Sequence, residues 1–442
     1  MSSMLILFFA EILLCCAHSA GDSVPKLLLV SFDGFRADYL ETYKLPHLQE
    51  FIENGVLVKE VRNTFITKTF PNHYTIVTGL YEESHGIVAN DMYDADAKKN
   101  FSQFNDSDPF WWNDAVPIWV TNQQQGKGAS AAAMWPGSDV KINNTTPHFF
   151  MKYNFSVKFE ERVERIVEWL NSSDPVVNFA VLYWEEPDAS GHKYGPRDTQ
   201  NMQRVLEEVD KHVGFLMNKL KASGLWDTVN VIITSDHGMA SCSAEKLIVL
   251  DECLGRNNYT LIDRTPVAAV LPRQNKEDVY NLLKNCNSHM KVYLKEEIPD
   301  RFHYRHHKRI QPIILVADEG WTIVQNESLS KCLFILLSCG YSLSTFTDPG
   351  LCRTRHHTTL GTRGALRGRT HRTAKGRSCH TDTRTDKTDR EAFRAPLGGR
   401  RSPAHANAEP RPPFPTRSAR TPTSPGPEEA GHPPNPGAAA VT

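Results

Sequence analysis

Three apolar runs in this chain each give way to an acidic residue, and that pattern constrains the fold more than any total does. Lys26-Leu27-Leu28-Leu29-Val30-Ser31-Phe32 ends at Asp33. Phe179-Ala180-Val181-Leu182-Tyr183-Trp184 leads through a short acidic turn to Asp188. Val229-Asn230-Val231-Ile232-Ile233-Thr234-Ser235 ends at Asp236, with His237 next to it. Strand-like runs alternating with helical segments argue for an α/β fold, a mainly parallel sheet covered on both faces. In such sheets ligands and catalytic groups gather beyond the carboxyl ends of the strands. Asp and His supplied at three such ends point to a divalent-metal hydrolase.

Periodicity places the helices. One is predicted near Pro46–Glu53, another from about Pro71 to Gly79, a third over Phe159–Leu170 and a fourth from Asn201 to about Ser223. In the last, Val205, Val209, Val213, Leu216 and Leu220 recur at helical spacing and are read as core. From Asn90 to about Phe150 the periodicity is poor and Trp, Asn and Gly are frequent, so this stretch is expected to be an insertion lining a site. Asp318-Glu319-Gly320 also follows an apolar strand, but no His stands beside it, and it is read as an ordinary strand terminus.

A formal net charge of −1 over 442 residues conceals two unlike regions. Residues from about 24 to 330 carry the apolar runs and nearly all the aromatics. From about 350 onward the chain is mostly Arg, Thr, Pro, Gly and Ala. Such a tail buries too little apolar surface to offset its ordering entropy, so disorder is expected there.

Residues 1–20 read as a signal peptide, with an apolar core from Met4 to Ala17 and small residues near Ala17 to Ala20. Asn100, Asn105, Asn143, Asn144, Asn154, Asn171, Asn258 and Asn326 head glycosylation sequons, and the tail has none, which favours the secretory pathway. The run Cys332–Leu337 is too short to span a bilayer. Cys242, Cys253 and Cys286 allow one disulfide; spacing alone does not pair them, and Cys253 with Cys286 is the pair expected.

Thr69 lies in Thr67-Lys68-Thr69-Phe70-Pro71-Asn72, just ahead of a predicted helix. Backbone amides at a helix start favour an anion, but Thr is also a good N-cap, which is the plainer reading of this residue alone. A Thr hydroxyl becomes a useful nucleophile only where a base or metal lowers its pKa. Asp188 and His192 stand at i and i+4, so one helical turn would let them share an ion. Asp236-His237-Gly238 at a strand end is the stronger signal, since adjacent ligands at a turn can meet one metal.

Together these residues resemble the alkaline phosphatase superfamily, and within it the ectonucleotide pyrophosphatase/phosphodiesterases. The motifs that carry the resemblance are Ser31–Arg36, the stretch Thr67–Gly86, Glu186–Pro196 and Thr234–Met239, within roughly Lys26–Lys331. The chain looks most like a membrane-anchored ecto-enzyme of that family that cleaves diadenosine triphosphate. The resemblance implies that Thr69 is the nucleophile. It implies two zinc ions, one held by Asp33, Asp236 and His237 together with the Thr69 oxygen, the other by Asp188 and His192. It further implies that Asn90 donates to a phosphoryl oxygen, and that Phe70 and Tyr153 sandwich a nucleobase. The implied partner is a nucleotide polyphosphate or dinucleotide, and no nucleic-acid polymer. Phe70 and Tyr153 favour a flat base over the quaternary ammonium of a choline phosphodiester, the neighbouring activity in the family.

After Lys331 the sequence departs from the pattern. The family continues with a Gly-x-His-Gly segment that gives the second zinc its third protein ligand, then a last strand and helix and, in the member most resembled, a membrane anchor. Here Cys332-Leu333-Phe334-Ile335-Leu336-Leu337 leads into the Arg/Thr/Pro tail, and nothing around His356 or His357 resembles the missing motif. The expected domains are therefore a signal peptide over 1–20, a catalytic domain over 21–331 lacking the C-terminal part of the fold, and an aberrant, disordered tail over 332–442. The alternative functions are a catalytically impaired chain short of one zinc ligand and a choline-phosphodiester hydrolase of the same family.

Overall fold

The computed structural model describes residues 25–126, 128–326, 340–341 and 357–362. The expected signal peptide and most of the expected tail lie outside the described residues. Among the described residues no helix is long and apolar enough to cross a membrane.

The three runs that end in acidic residues are the centre of one seven-stranded sheet. They are β1 (Lys26–Phe32), β5 (Val177–Trp184) and β6 (Val229–Thr234). The others are β2 (Gly55–Val61), β3 (Ala129–Ala133), β4 (Phe149–Met151) and β11 (His357–Thr362), in the order β2-β11-β6-β1-β5-β3-β4. β1 pairs in parallel with both β5 and β6, so the three strand ends emerge side by side. β3 pairs in parallel with β4 and β5, whereas β11 runs antiparallel to β2 and β6. The sheet is mainly parallel, as the alternation of strands and helices predicts.

Strand periodicity sorts the side chains into two cores. Leu28, Val30 and Phe32 join Ala180 and Leu182 on one face, under helices α1 (Pro46–Glu53), α3 (Phe159–Leu170) and α5 (Thr199–Ala222). Val209, Val213, Leu216 and Leu220 of α5 lie in that core, with Val205 at its margin. Leu29, Phe179, Val181 and Tyr183 point to the opposite face, with α2 (Thr69–Thr78) and a group of tryptophans, Trp112, Trp119 and Trp135. Burial on both faces explains why these strands read as continuous apolar runs. Each fully buried aliphatic side chain contributes about 1.5–3 kcal/mol.

A four-stranded antiparallel sheet follows, made of β7 (Tyr259–Asp263), β8 (Val267–Pro272), β9 (Met290–Leu294) and β10 (Ile313–Ala317) in the order β7-β8-β10-β9. It too alternates. Val267, Ala269, Ile314 and Val316 face the tryptophan core, while Ala268, Val270, Ile313 and Leu315 face α6 (Lys276–Lys284). Cys253 and Cys286 form a disulfide, the expected pair, and Cys242 stands outside it. Asp318 follows β10 of this second sheet, and the fold brings His289 Nδ1 to 3.3 Å from its Oδ2, a neighbour the local sequence does not place there.

Two segments differ from expectation. The stretch 90–150 is not simply an insertion, since β3 and β4 belong to the main sheet. β3 is Ala129-Ser130-Ala131-Ala132-Ala133, all buried. Alanine is depleted in strands and carries no β-branched signal, so sequence pattern alone hides this one. Within the expected tail, β11 pairs with β2 and β6, and Gly340–Tyr341 pairs with Ala240–Ser241. The Thr-rich run His357-Thr358-Thr359-Leu360-Gly361-Thr362 has the β-branched character that a strand favours.

Candidate active site and metal centre

Parallel register brings the candidate residues together. The amide of Asp33 donates to the carbonyl of Trp184 at 2.9 Å, which continues the β1–β5 ladder by one step, and the amide of Asp188 donates to Asp33 O at 3.0 Å. Gly34 makes this approach possible. Its φ is +67°, and a Cβ there would stand 2.8 Å from Asp188 Cβ, a clash no side chain would survive. Gly34 N also donates to Asp236 Oδ1 at 3.2 Å, and Phe35 N to Ser235 Oγ at 2.9 Å, tying the ends of β1 and β6 together.

Asp33, Asp236 and His237 form one buried group, at 2 %, 0 % and 5 % exposure. One ligand atom from each lies within 4.8 Å of the others. His237 Nε2 is 3.1 Å from Asp236 Oδ2 and 3.5 Å from Asp33 Oδ1. Burial, then the neighbouring Asp236 and Asp188, push the Asp33 carboxyl well above its ordinary range. Asp236 is raised too, first by burial and then by Asp188. Asp33 Oδ1, Asp236 Oδ2 and Asp188 Oδ1 are buried and accept no hydrogen bond. Unsatisfied buried carboxylate oxygens are costly, and crowding them is costlier still. A divalent cation removes both penalties, and a mixed carboxylate and imidazole donor set suits zinc. The residues therefore fit a metal.

Asp188 and His192 sit on α4 (Asp188–Tyr194), with His192 Nε2 3.2 Å from Asp188 Oδ2. Burial acts to raise the Asp188 carboxyl, but His192 outweighs it and holds the group low. The imidazole is raised in turn, the Asp188 charge overcoming its own desolvation. Helical spacing thus brings the two side chains into contact. Among the described residues only Asp33, Asp236 and His237 make a three-ligand group.

Thr69 is the first residue of α2, and the N-cap is Lys68, which makes no side-chain cap bond. The plainer reading of Thr69 as N-cap therefore fails, and its Oγ1 lies 3.3 Å from His237 Nε2. The chain reaches that position through Thr67, whose φ is +49°, a left-handed conformation that costs a β-branched residue on the order of 1–3 kcal/mol. Lys68, immediately before Thr69, is buried and forms an ion pair with Asp263; its ammonium also donates to Arg264 O at 2.9 Å. The second sheet thereby anchors the residue next to Thr69.

Asn90 Oδ1 accepts from Phe70 N at 3.0 Å, beside the start of α2. Phe70 packs at 5.9 Å from the Phe101 ring and 6.1 Å from that of Trp112. Tyr153 is 55 % exposed, its ring 6.4 Å from Tyr183.

Sequence reasoning missed the shell behind the ligands. Tyr183 donates its hydroxyl to Asp33 Oδ2 at 2.7 Å. His73 Nδ1 lies 2.7 Å from Thr69 O and 3.4 Å from Asp236 Oδ2, with Ser31 Oγ at its Nε2, 2.9 Å away. His73 was findable, because it stands at i+4 from Thr69 on the same helix face. Tyr183 was read only as part of a strand.

Glu82 supports the turn before α2. Its Oε1 accepts from Thr64 Oγ1 and, at 3.4 Å, from Ile66 N. Burial raises its carboxyl from 4.5 to about 7. A folded-state pKa above the unfolded one favours the protonated form. Its contribution is therefore present below about pH 4.5 and is lost as pH rises through 7, on the order of 3 kcal/mol. Glu82→Gln should flatten the stability profile over that window. Parallel slopes for parent and variant in urea unfolding from pH 4.5 to 8 would refute it.

Comparison with known proteins accords with this geometry. The sequence family described as Type I phosphodiesterase / nucleotide pyrophosphatase matches residues 27–364. The bis(5'-adenosyl)-triphosphatase ENPP4 of Bos taurus is 65 % identical over 332 residues, which is 75 % of this chain and 73 % of that protein. Ectonucleotide pyrophosphatase/phosphodiesterase family member 5 of Homo sapiens is 51 % identical over 335 residues, 75 % of this chain and 69 % of that protein. The solved structure of human ectonucleotide pyrophosphatase/phosphodiesterase 5 superposes with a TM-score of 0.71 at 50 % identity, covering 76 % of this chain and 87 % of that one. The murine counterpart, solved as an inactive threonine-to-alanine variant in complex with AMP, gives the same TM-score at 48 % identity and covers 76 % of this chain and 88 % of that one. With the family matched from the first strand of the sheet to beyond β11, this chain belongs to the type I phosphodiesterase / nucleotide pyrophosphatase family, the ectonucleotide pyrophosphatase/phosphodiesterase hydrolases of the alkaline phosphatase superfamily.

Proposed function

We propose that the chain is an extracellular, zinc-dependent phosphodiesterase that hydrolyses diadenosine polyphosphates, such as diadenosine triphosphate, through a nucleotidyl-threonine intermediate. The observation that carries this reading is Thr69 Oγ1, 3.3 Å from His237 Nε2, at a helix start beside two buried carboxylates with unsatisfied oxygens. Asp33, Asp236 and His237 would hold one zinc ion close to Thr69, and Asp188 and His192 the second. When bound, such a pair supplies electrostatic stabilisation to the attacking and leaving oxygens of an in-line displacement.

The chain's own residues do the rest. Thr69 Oγ1 attacks phosphorus, the far nucleotide leaves, and water then hydrolyses the threonine ester and restores the hydroxyl. The amides at the start of α2 face phosphate oxygens favourably. Asn90, whose Oδ1 already accepts from Phe70 N, has its NH2 left to donate to a phosphoryl oxygen. Phe70 and Tyr153 stack on a base. The name of the bovine relative and the AMP complex of the murine neighbour support an adenine nucleotide substrate. Six of the eight sequon asparagines, Asn100, Asn105, Asn143, Asn144, Asn154 and Asn171, are exposed, which supports passage through the secretory pathway with glycans attached.

Acid quenching of the enzyme during turnover of diadenosine triphosphate should leave an AMP moiety on the peptide that contains Thr69. Release of AMP with no such adduct in rapid-quench samples would remove the covalent route. Tyr153→Ala should raise KM for a nucleotide about five-fold, since one stacking contact is worth on the order of 1 kcal/mol. KM for a simple aryl phosphonate should change little, and equal effects on both would argue against stacking.

A second reading is a catalytically impaired family member. It is favoured by Asp188 and His192 having no third ligand residue in a group with them among the described residues.

A further inference from the structure

Tyr183 is fully engaged behind the metal centre in a way that packing alone does not require. It sits in β5 opposite Ser31 of β1, two residues before Asp33, on the face that carries Phe179 and Val181. Its side chain is buried, and its hydroxyl donates to Asp33 Oδ2 at 2.7 Å. Asp33 Oδ1, the other oxygen of the same carboxylate, has no hydrogen bond and lies 3.5 Å from His237 Nε2. The His73 ring packs edge-on against Tyr183 with centroids 5.1 Å apart, and against Trp135 at 4.9 Å, which leaves the phenol little rotational freedom. His73 in turn lies beside Thr69 O and Asp236 Oδ2. One rigid aromatic unit thus touches the ligand carboxylates and the nucleophile's main chain.

We propose that Tyr183 is a positioning residue that sets the denticity of Asp33: its hydroxyl occupies Oδ2, so that Oδ1 alone is presented to the cation, and its ring fixes His73 behind Thr69. This rests on the metal site of the proposed function and adds to it the group that orients one of its buried carboxylates. A buried carboxylate free to rotate would offer either oxygen or both, and would lose the geometry that a tetrahedral ion and an adjacent nucleophile need. Groups that orient metal ligands in this way are commonly worth about 10–100-fold in metal affinity or activity.

Tyr183→Phe removes the hydroxyl and keeps the ring, so it separates orientation from packing. The full chain, stripped with a chelator, is titrated with zinc alone against a chromophoric competitor, and the metal-free melting temperature is recorded alongside. The variant should bind its tightest zinc about 10–100-fold more weakly than the parent, lower kcat for a nitrophenyl nucleotide ester, and leave KM nearly unchanged. A packing role would lower the melting temperature and leave zinc affinity in place. Equal or tighter zinc binding by Tyr183→Phe overturns the inference while the metal site stands. No zinc binding by the parent overturns the metal site, and this inference with it. Should Tyr183→Phe fail to fold, Tyr183→Leu serves as a second variant without any donor. A folded Tyr183→Leu that binds zinc as tightly as the parent would equally count against the assignment.

Discussion

Thr69→Ala should lower turnover of a nitrophenyl nucleotide ester by on the order of 10⁴-fold or more, because a covalent route cannot run without its attacking oxygen. The variant should fold normally. Thr69 makes no N-cap bond, that position being held by Lys68, and alanine is a better helix residue than threonine at the start of α2. The first metal ion should still bind, since Asp33, Asp236 and His237 remain. Thr69→Ser should recover part of the activity, as it restores the hydroxyl without the methyl group that limits its rotamers. The measurement is steady-state hydrolysis with metal content determined on the same samples. Turnover by Thr69→Ala at the parental rate, with zinc bound, would mean that the nucleophile is another group, or that water attacks directly.

Much of this site was legible in the sequence because parallel sheets export their chemistry to one edge. The runs ending at Asp33, before Asp188 and at Asp236 could be read as strands from their apolar continuity, and adjacency in the sheet follows once all three are parallel. His192 was legible because a helix places i and i+4 together. The rest lacked a local signal. β3 was invisible because five small residues have no strand periodicity that can be told from loop or helix. Tyr183 was invisible because alternation assigns it to a face but says nothing of where its hydroxyl points. The Lys68–Asp263 pair joins residues 195 apart in sequence, one at the start of α2 and the other in β7, a contact that no pattern in either segment announces. The Thr69 N-cap reading failed for a boundary reason: the helix begins two residues before Pro71, and those two residues decide whether the hydroxyl caps or reacts.

The chain is expected to hold one zinc ion firmly and a second weakly, and this should limit its turnover. Asp33, Asp236 and His237 would provide three buried ligands, the number that catalytic zinc sites ordinarily have. Asp188 and His192 would provide two, on one turn of α4, and both are more open than the first set. Loss of one ligand weakens an ion and the activation of water that depends on it, so the second half-reaction, hydrolysis of the threonine ester, should slow more than the first. Metal analysis of the purified chain should therefore give close to one zinc per molecule after brief dialysis. Single-turnover experiments should show nucleotidyl-Thr69 accumulating. Chelation of both ions should abolish activity, with zinc restoring it. Inserting a Gly-x-His-Gly segment directly after Lys331, to offer one more imidazole to the second ion, should raise both zinc content and steady-state rate. Should the unaltered chain retain two zinc ions through dialysis and hydrolyse diadenosine triphosphate without accumulating the intermediate, a residue outside the Asp188–His192 pair must complete the second site.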